Sequence, residues 1–367
     1  MSWNTKIPAR LIDFENKTHP NTDYCIGVKM ISSGGGSGTW LRIDEKENVV
    51  DVDSTYFTNH PVYSGITTVQ MDGNQVMVKI PKFYIRTEDG KKYWISDTQR
   101  EGFRLHPAFI RNTGEEVSQI FIGAYQGSIY NGVCCSESDV TPTVYTTFTE
   151  YQTACSGRNS VDSGISGYHM WTIYEVSAIA MLALVECCST DFQTYYGEGR
   201  VNATGLGKTS DESVISASYR GITGLWGNAW QFVDGLVTDK NDMFQIWGDD
   251  GKREYKETPL KIVSKESKNT VWLDGKTSGY YNSLTTTLGS GYNFNDIFLP
   301  DFNTLTNSYT NGSFSDYIYT RTTGETKKVC CVGGDFTSEK KAGLFCYNFD
   351  ISTTDSFDNI TTRLAKY

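Results

Sequence analysis

Apolar and polar residues alternate in short runs along much of the chain. Period two places alternate side chains on opposite faces of a strand, so these runs predict strands at 40–43, 76–80, 82–86, 93–95 and 119–125. Pro81 lies between two of them and predicts an edge or a bulge, because proline cannot donate to a ladder. Glu88-Asp89-Gly90-Lys91 predicts a hairpin turn between the 82–86 and 93–95 strands. A helical period replaces this pattern after Thr172. Thr172 and Glu175 have capping-box spacing, and Val176, Ile179, Ala180, Ala183 and Leu184 share one face. The other positions of that helix are also nearly all apolar, which predicts burial on most sides. A shorter helix is predicted over 147–154.

The densest group of aromatics and glycines follows, at 221–235. Trp226, Trp230 and Phe232 are separated by Gly227 and Asn228 and preceded by Gly224. Glycine permits positive φ and close backbone approach, and large rings need fixed neighbours. The segment therefore predicts a tight turn locked between core side chains. Further strands are predicted at 243–247, 316–319, 328–332 and 343–349. Residues 249–316 are rich in Gly, Asn, Ser and Thr and read as an insertion of short strands and long loops. The run Ser32–Gly38 reads as a loop or hinge.

Near the C-terminus a glycine-bounded polar loop, 333–343, leads into a strand in which Phe345, Tyr347, Phe349 and Ile351 alternate with Cys346, Asn348 and Asp350. The apolar face is either core or a recognition patch. Core is favoured for Phe345 and binding from Tyr347 onward, because aromatics beside Ser, Asn, Asp and Thr make adaptable binding surfaces. Between Ala342 and Ala365 there is no Lys, Glu, Gln, Met or Trp. Those are the five amino acids that pyrimidine-ending codons cannot encode.

Composition narrows the function classes. The chain has 367 residues, 38% hydrophobic and 13% aromatic, enough for a large core. Its net charge is −10 with no basic block, which argues against nucleic-acid binding. No apolar run reaches membrane-spanning length, and the N-terminus lacks the apolar stretch of a signal peptide. Nine cysteines, six of them in adjacent pairs and none in a Cys-x-x-Cys, predict reduced buried thiols in a protein folded in a cytoplasm. Gly207-Lys208-Thr209 resembles the end of a phosphate-binding loop, but Asn202 stands where its first glycine is needed. Asp51, Asp53, Asp249 and Asp250 read as solvated acidic turns in preference to calcium ligands. His106 and His169 read as structural groups. No catalytic residue, metal set or cofactor site is expected.

Gly224-Leu-Trp-Gly-Asn-Ala-Trp-Gln-Phe232 resembles the Gly-Asn-Val-Trp-Glu-Trp signature of the formylglycine-generating-enzyme branch of the C-type lectin fold. Residues 79–125 are similar to the opening of such domains in phage and prophage tail proteins. The ending, Gly333-Gly334 through Ala342-Gly-Leu-Phe345 to Asn359-Ile360 and Arg363-Leu364, is similar to the variable region of proteins diversified by retroelements. In those proteins mutagenesis of Asn codons leaves pyrimidine-ending codons.

The resemblance implies an α+β, C-type lectin-like fold with two main helices, short antiparallel sheets and many loops. That domain would span 65–367, with a variable region at 333–364 and a small β-rich or attachment segment at 1–64. It implies a receptor-binding tail adhesin of the virion. Asp335, Phe336, Thr337, Ser338, Tyr347, Phe349, Ile351, Asp355 and Phe357 would meet a host-cell surface protein or glycan. Its other partners would be tail proteins and further copies of itself, a trimer among the options. Two alternatives follow from the same resemblance: a formylglycine-generating-type oxidase and a purely structural tail protein. The oxidase is disfavoured because its catalytic cysteines have no clear counterpart beside Cys330, Cys331 and Cys346.

Overall fold

The capping box at Thr172 closes as predicted. The Thr172 hydroxyl accepts from the Glu175 amide at 3.2 Å, and the Glu175 carboxylate accepts from the Thr172 amide at 2.7 Å. Every residue of the helix that follows, Ile173–Cys187, is buried except Glu186. In the computed structural model, which describes residues 24–262, 278–321 and 326–367, this helix packs against strands of two sheets. A second helix, Phe148–Ser156, carries its own capping box from Thr147 and Glu150. The fold is mixed, mostly β with few helices. Among the described residues no helix is long and apolar enough to cross a membrane.

The largest sheet runs in the order 255–261, 243–247, 230–238, 328–333, 343–352, 317–320, 279–280, with 360–362 pairing in parallel to 230–238. Most neighbours are antiparallel, but 317–320 and 343–352 run parallel, with Tyr319 opposite Asn348. One five-stranded sheet joins 39–43, 25–32, 92–96, 84–88 and 104–105, and another joins 168–170, 364–366, 119–123, 75–81 and 67–71. Glu88–Lys91 makes the predicted turn, closed by the Lys91 amide on the Glu88 carbonyl at 3.0 Å.

Three segments are tied more closely to the body than composition alone suggests. Strand Cys25–Ser32 is hydrogen-bonded to Lys92–Ser96, with Gly27 opposite Trp94. A boundary at 64/65 would cut through this sheet, so residues 24–64 complete the main body; residues 1–23 lie outside the described residues. The Ser32–Gly38 run is the expected loop between two strands, tied down and not a hinge. Gly35 and Gly36 donate to the Thr310 and Gly312 carbonyls at 2.8 and 2.9 Å, and a Cβ on Gly36 would meet the Tyr309 ring at 2.3 Å. The 249–316 segment has the expected short strands and long loops in its described part, and it also contributes to the core. Phe294, Ile297, Phe298, Leu299, Phe302 and Phe314 are buried in it, while 263–277 lie outside the described residues.

The 221–235 segment is architecture, as its composition predicts. Trp226 is fully buried and donates to the Gly197 carbonyl at 3.1 Å. Gly227 has φ +72°, and a Cβ there would lie 2.7 Å from the Arg200 carbonyl oxygen. Asn228 bridges Gln126 and Gly207, donating to Gln126 Oε1 at 2.7 Å and accepting from the Gly207 amide at 2.7 Å. Arg363 ties the segment to the chain's end. Its fully buried guanidinium donates to Gln231 Oε1 at 2.9 Å and to the Gly123, Thr223 and Gly224 carbonyls at 2.8 Å each.

Candidate functional site

The two faces of strand Gly343–Ser352 decide where a ligand surface lies. Phe345 packs on Phe298, Phe192 and Phe314 at centroid distances of 4.9, 5.1 and 5.3 Å. Tyr347 is buried and donates to the Ile297 carbonyl at 2.7 Å. Phe349 meets Phe244 at 5.0 Å; Ile351, beyond a bulge in the pairing with 328–333, is also buried. The apolar face is therefore core along its whole length, because the 294–302 segment and the long helix's surroundings close over it. Tyr347, Phe349 and Ile351 cannot touch a ligand and leave the candidate set.

The loop residues divide. Asp335 is buried and braces its own turn: its carboxylate accepts from the Thr337 amide at 2.8 Å, the Ser338 hydroxyl at 3.0 Å and the Asn359 amide side chain at 2.5 Å. Ser338 is likewise buried. Phe336 is half-buried, held by its amide on the Asn228 carbonyl at 3.1 Å, while Thr337 is exposed. Asp355 is half-buried and accepts from the Ser352 amide at 2.8 Å. Phe357 is exposed beside the still more open Tyr145, whose amide donates to the Phe357 carbonyl at 2.9 Å. Of the nine candidates, Phe336, Thr337, Asp355 and Phe357 face or approach solvent.

The opposite face of the sheet is also largely closed, with Cys346, Trp230, Tyr317 and Asn348 buried, and only Tyr280, Tyr309, Tyr319 and Asp350 on it are half-buried. Cys346, Asn348 and Asp350 point there, and the parallel partner strand adds Tyr317 and Tyr319. Five rings run in sequence across it. Centroid distances are 5.6 Å from Tyr309 to Tyr280, 5.0 Å to Tyr317, 4.7 Å to Tyr319 and 5.6 Å to Trp230. Lys340 and Lys341 stand over Tyr309 and Tyr317, at 5.8 and 5.2 Å from the ring centroids. Arg321 pairs with Asp350 at 3.1 Å further along. The 333–342 loop flanks Trp230, and Trp230 is tied to Asn359 by an amide–carbonyl bond of 2.8 Å.

Chemically this strip is a floor of rings with polar edges. The hydroxyls of Tyr280, Tyr317 and Tyr319 hydrogen-bond to no protein group among the described residues and reach solvent. Burial raises the phenol pKa of Tyr317 to about 12 and pushes those of Tyr280 and Tyr319 up as well, so all three remain neutral donors and acceptors at neutral pH. Trp230 was legible only as a core residue, and Tyr280 and Tyr309 lay in the presumed insertion. The one signal for the strip was the alternation Tyr317-Ile318-Tyr319, in which the buried Ile318 marks the inward side.

The other candidates are structural. Asp53 caps the helix Ser54–Asn59. His106 is buried, accepts from the Ala108 amide at 3.2 Å and meets the Ser177 hydroxyl at 3.1 Å; burial pulls its pKa down to about 3. His169 lies 2.8 Å from the Glu175 carboxylate and 2.7 Å from the Gly167 carbonyl. Among the described residues no group of three His, Cys, Asp or Glu side chains could hold a metal ion. Cys330, Cys331 and Cys346 are fully buried, and burial pushes their thiol pKa values well up.

No family profile matches the chain, and no curated protein matches it in sequence. Among solved structures it is similar to PvdO from Pseudomonas aeruginosa, at TM-score 0.35 and 13% identity over 82% of this chain and 97% of that one. It is also similar to a major tropism determinant, U1 variant, at TM-score 0.25 and 10% identity over 90% of this chain and 92% of that one. Neither likeness is large enough to fix the fold or the function.

Proposed function

We propose that the chain is a receptor-binding adhesin of a phage or prophage tail, built on a C-type lectin-like scaffold, and that it binds through the half-buried Tyr280, Tyr309 and Tyr319 and the loops beside them, with the buried Trp230 and Tyr317 as support beneath. The observation that carries this is that the hydroxyls of Tyr280, Tyr317 and Tyr319 have no hydrogen-bond partner among the described residues, on rings packed against one another. Rigid rings with free polar edges give contact area at small entropic cost, the property that recognition surfaces exploit. The buried 221–235 segment, the long helix and Arg363 supply rigidity beneath, and Phe336, Thr337, Asp355 and Phe357 supply an adaptable rim. Several copies on one virion would raise a modest affinity per site through avidity.

The role is binding and not turnover. An oxidase would need reachable thiols, and Cys330, Cys331 and Cys346 are sealed and protonated. The C-terminal resemblance to diversified proteins supplies a direct test: sequencing the gene across isolates that carry a reverse-transcriptase cassette beside it. Substitutions should gather at outward or exposed positions, such as 337, 348, 350 and 354–358, and spare the inward 345, 347 and 349. Variation spread evenly between the two faces, or no greater than in the 173–187 helix, refutes the diversified-surface reading.

A further inference from the structure

Two large rings outside the strip stand in the open. Tyr145 is 69% exposed and Phe357 43%. One lies in the loop before the 148–156 helix and the other in the loop after strand Gly343–Ser352, and the 2.9 Å bond from the Tyr145 amide to the Phe357 carbonyl joins the two loops. Among the described residues neither side chain makes a hydrogen bond or packs on another aromatic ring. Tyr145 also has φ +55°, a left-handed conformation in which a bulky side chain is a genuine outlier. Its neighbours hold it there. The Thr143 hydroxyl accepts from the Ile129 amide at 2.7 Å, and Thr147 caps the helix. A strained residue of this kind persists only where the surroundings fix it, and such residues gather at binding sites.

The two loops are acidic. Residues 141–150 and 351–362 contain Glu150, Asp355 and Asp358 and neither Lys nor Arg. The Glu150 carboxylate accepts from the Thr147 amide and hydroxyl, both at 2.8 Å, two residues from Tyr145, and these bonds hold its pKa below the usual value. Asp358 adjoins Phe357, and Asp355 precedes it by two residues. None of the three carboxylates has an ion-pair partner among the described residues. Lys208, at the head of the earlier loop, is already paired with Asp139 at 3.0 Å. Protruding rings fill pockets on a partner, and Phe357 has no polar edge to offer a sugar hydroxyl. Uncompensated carboxylates beside the rings favour a cationic rim around that pocket and repel a second copy of the same patch.

We infer that Tyr145 and Phe357 are paired anchors that insert into an apolar pocket, rimmed by lysine or arginine, on a protein receptor. This rests on the receptor-binding reading and adds a contact residue outside the C-terminal segment and the class of partner. The test follows adsorption of the labelled full-length chain to a panel of bacterial strains. Each strain is used untreated, after protease treatment and after periodate oxidation of surface sugars, at low and at physiological salt.

Adsorption should be lost after protease, survive periodate and weaken with salt. Tyr145→Ala/Phe357→Ala should lower it roughly tenfold or more, the size of a hot-spot loss. Asp355→Asn/Asp358→Asn should lower it less and reduce its salt dependence. Tyr145→Gly gives a readout that a merely structural role would not. Glycine adopts φ +55° without strain, so adsorption should fall while the melting temperature stays the same or rises. A clear drop in the melting temperature of Tyr145→Gly makes the ring a packing group and overturns the inference.

Other outcomes separate this failure from failure of the adhesin reading. Adsorption that survives protease and is lost after periodate means a glycan receptor, which sinks the protein-pocket inference alone. So does adsorption kept by both ring variants but lost in Tyr280→Ala/Tyr319→Ala. Adsorption indifferent to all of these variants, or adsorption of the parent chain to no strain of the panel, sinks both.

Discussion

Arg363 offers the sharpest test of how the scaffold is held. It is fully buried, no carboxylate is among its bonded partners, and its four hydrogen bonds reach Gln231, Gly123, Thr223 and Gly224. It thereby joins the C-terminal segment to the 221–235 turn and to strand Gln119–Gly123. Burial pulls its pKa down to about 9, and the four acceptors oppose that pull, so it is a cation throughout the neutral range. Hydrogen bonds to a charged group contribute about 1.5–3 kcal/mol each, and an orphaned buried acceptor costs about 1–3 kcal/mol.

Simple addition over four bonds would exceed what single substitutions show, because water can enter a polar vacancy of this size and re-pair some acceptors. Arg363→Ala should therefore destabilise by about 3–5 kcal/mol, the range for breaking a buried polar network. Arg363→Met keeps much of the volume but pairs none of the acceptors, so it should lose nearly as much. Urea unfolding followed by tryptophan fluorescence reads this directly; with a slope of about 3 kcal/mol/M the midpoint should fall by about 1–2 M. If Met restores most of what Ala loses, the residue acts through packing. If both variants lie within about 1 kcal/mol of the parent, Arg363 is no tie at all.

Three further outcomes are expected. Asp316 is buried with no ion-pair partner among the described residues, accepting from the Phe345 amide at 2.6 Å and the Ser315 hydroxyl at 3.2 Å, and burial raises its pKa well above the usual value. Its contribution to stability is complete below the unfolded pKa of about 3.9 and is lost as pH rises toward the folded value; the stability difference between parent and Asp316→Asn should accordingly shift in favour of Asn between pH 4 and 7, and a pH-independent difference in thermal melts would contradict this. Gly227→Ala must adopt φ +72° with its Cβ 2.7 Å from the Arg200 oxygen, which should cost on the order of 2–3 kcal/mol in the same urea assay; a neutral result would mean that the turn relaxes freely. Thr172→Ala removes the cap of the long helix and should cost about 1–2 kcal/mol, seen as a uniform loss of helical signal at lower denaturant.

Local patterns announced the elements better than their assembly. The capping box at Thr172 and Glu175 and the all-round apolar composition after it were sufficient to place the buried helix, because both depend on neighbours within a few residues. The glycine run at 32–38 shows the opposite case. Composition alone reads as flexibility, yet Gly36 is required because the Tyr309 ring, far away in sequence, lies where a side chain would be. Strand Cys25–Ser32 likewise finds its partner at Lys92–Ser96, and no boundary drawn from composition anticipates that pairing.

The most consequential ambiguity lay in strand Gly343–Ser352. Period two sorted its residues into two sets, and the aromatic set looked like the one that binds. In an interior strand that logic reverses. Phe345, Tyr347 and Phe349 are large because they fill the core against Phe298, Ile297 and Phe244, whereas Cys346 and Asn348 are small or polar because rings from other strands lie over and beside them. The outward aromatics come from Trp230, Tyr280, Tyr309, Tyr317 and Tyr319, brought together by sheet order from four separate parts of the chain. No window of sequence contains the strip. Under the proposed reading, substitutions in the C-terminal segment would act at its exposed positions, such as Thr337 and Phe357, while the buried aromatics of the same segment keep the scaffold unchanged.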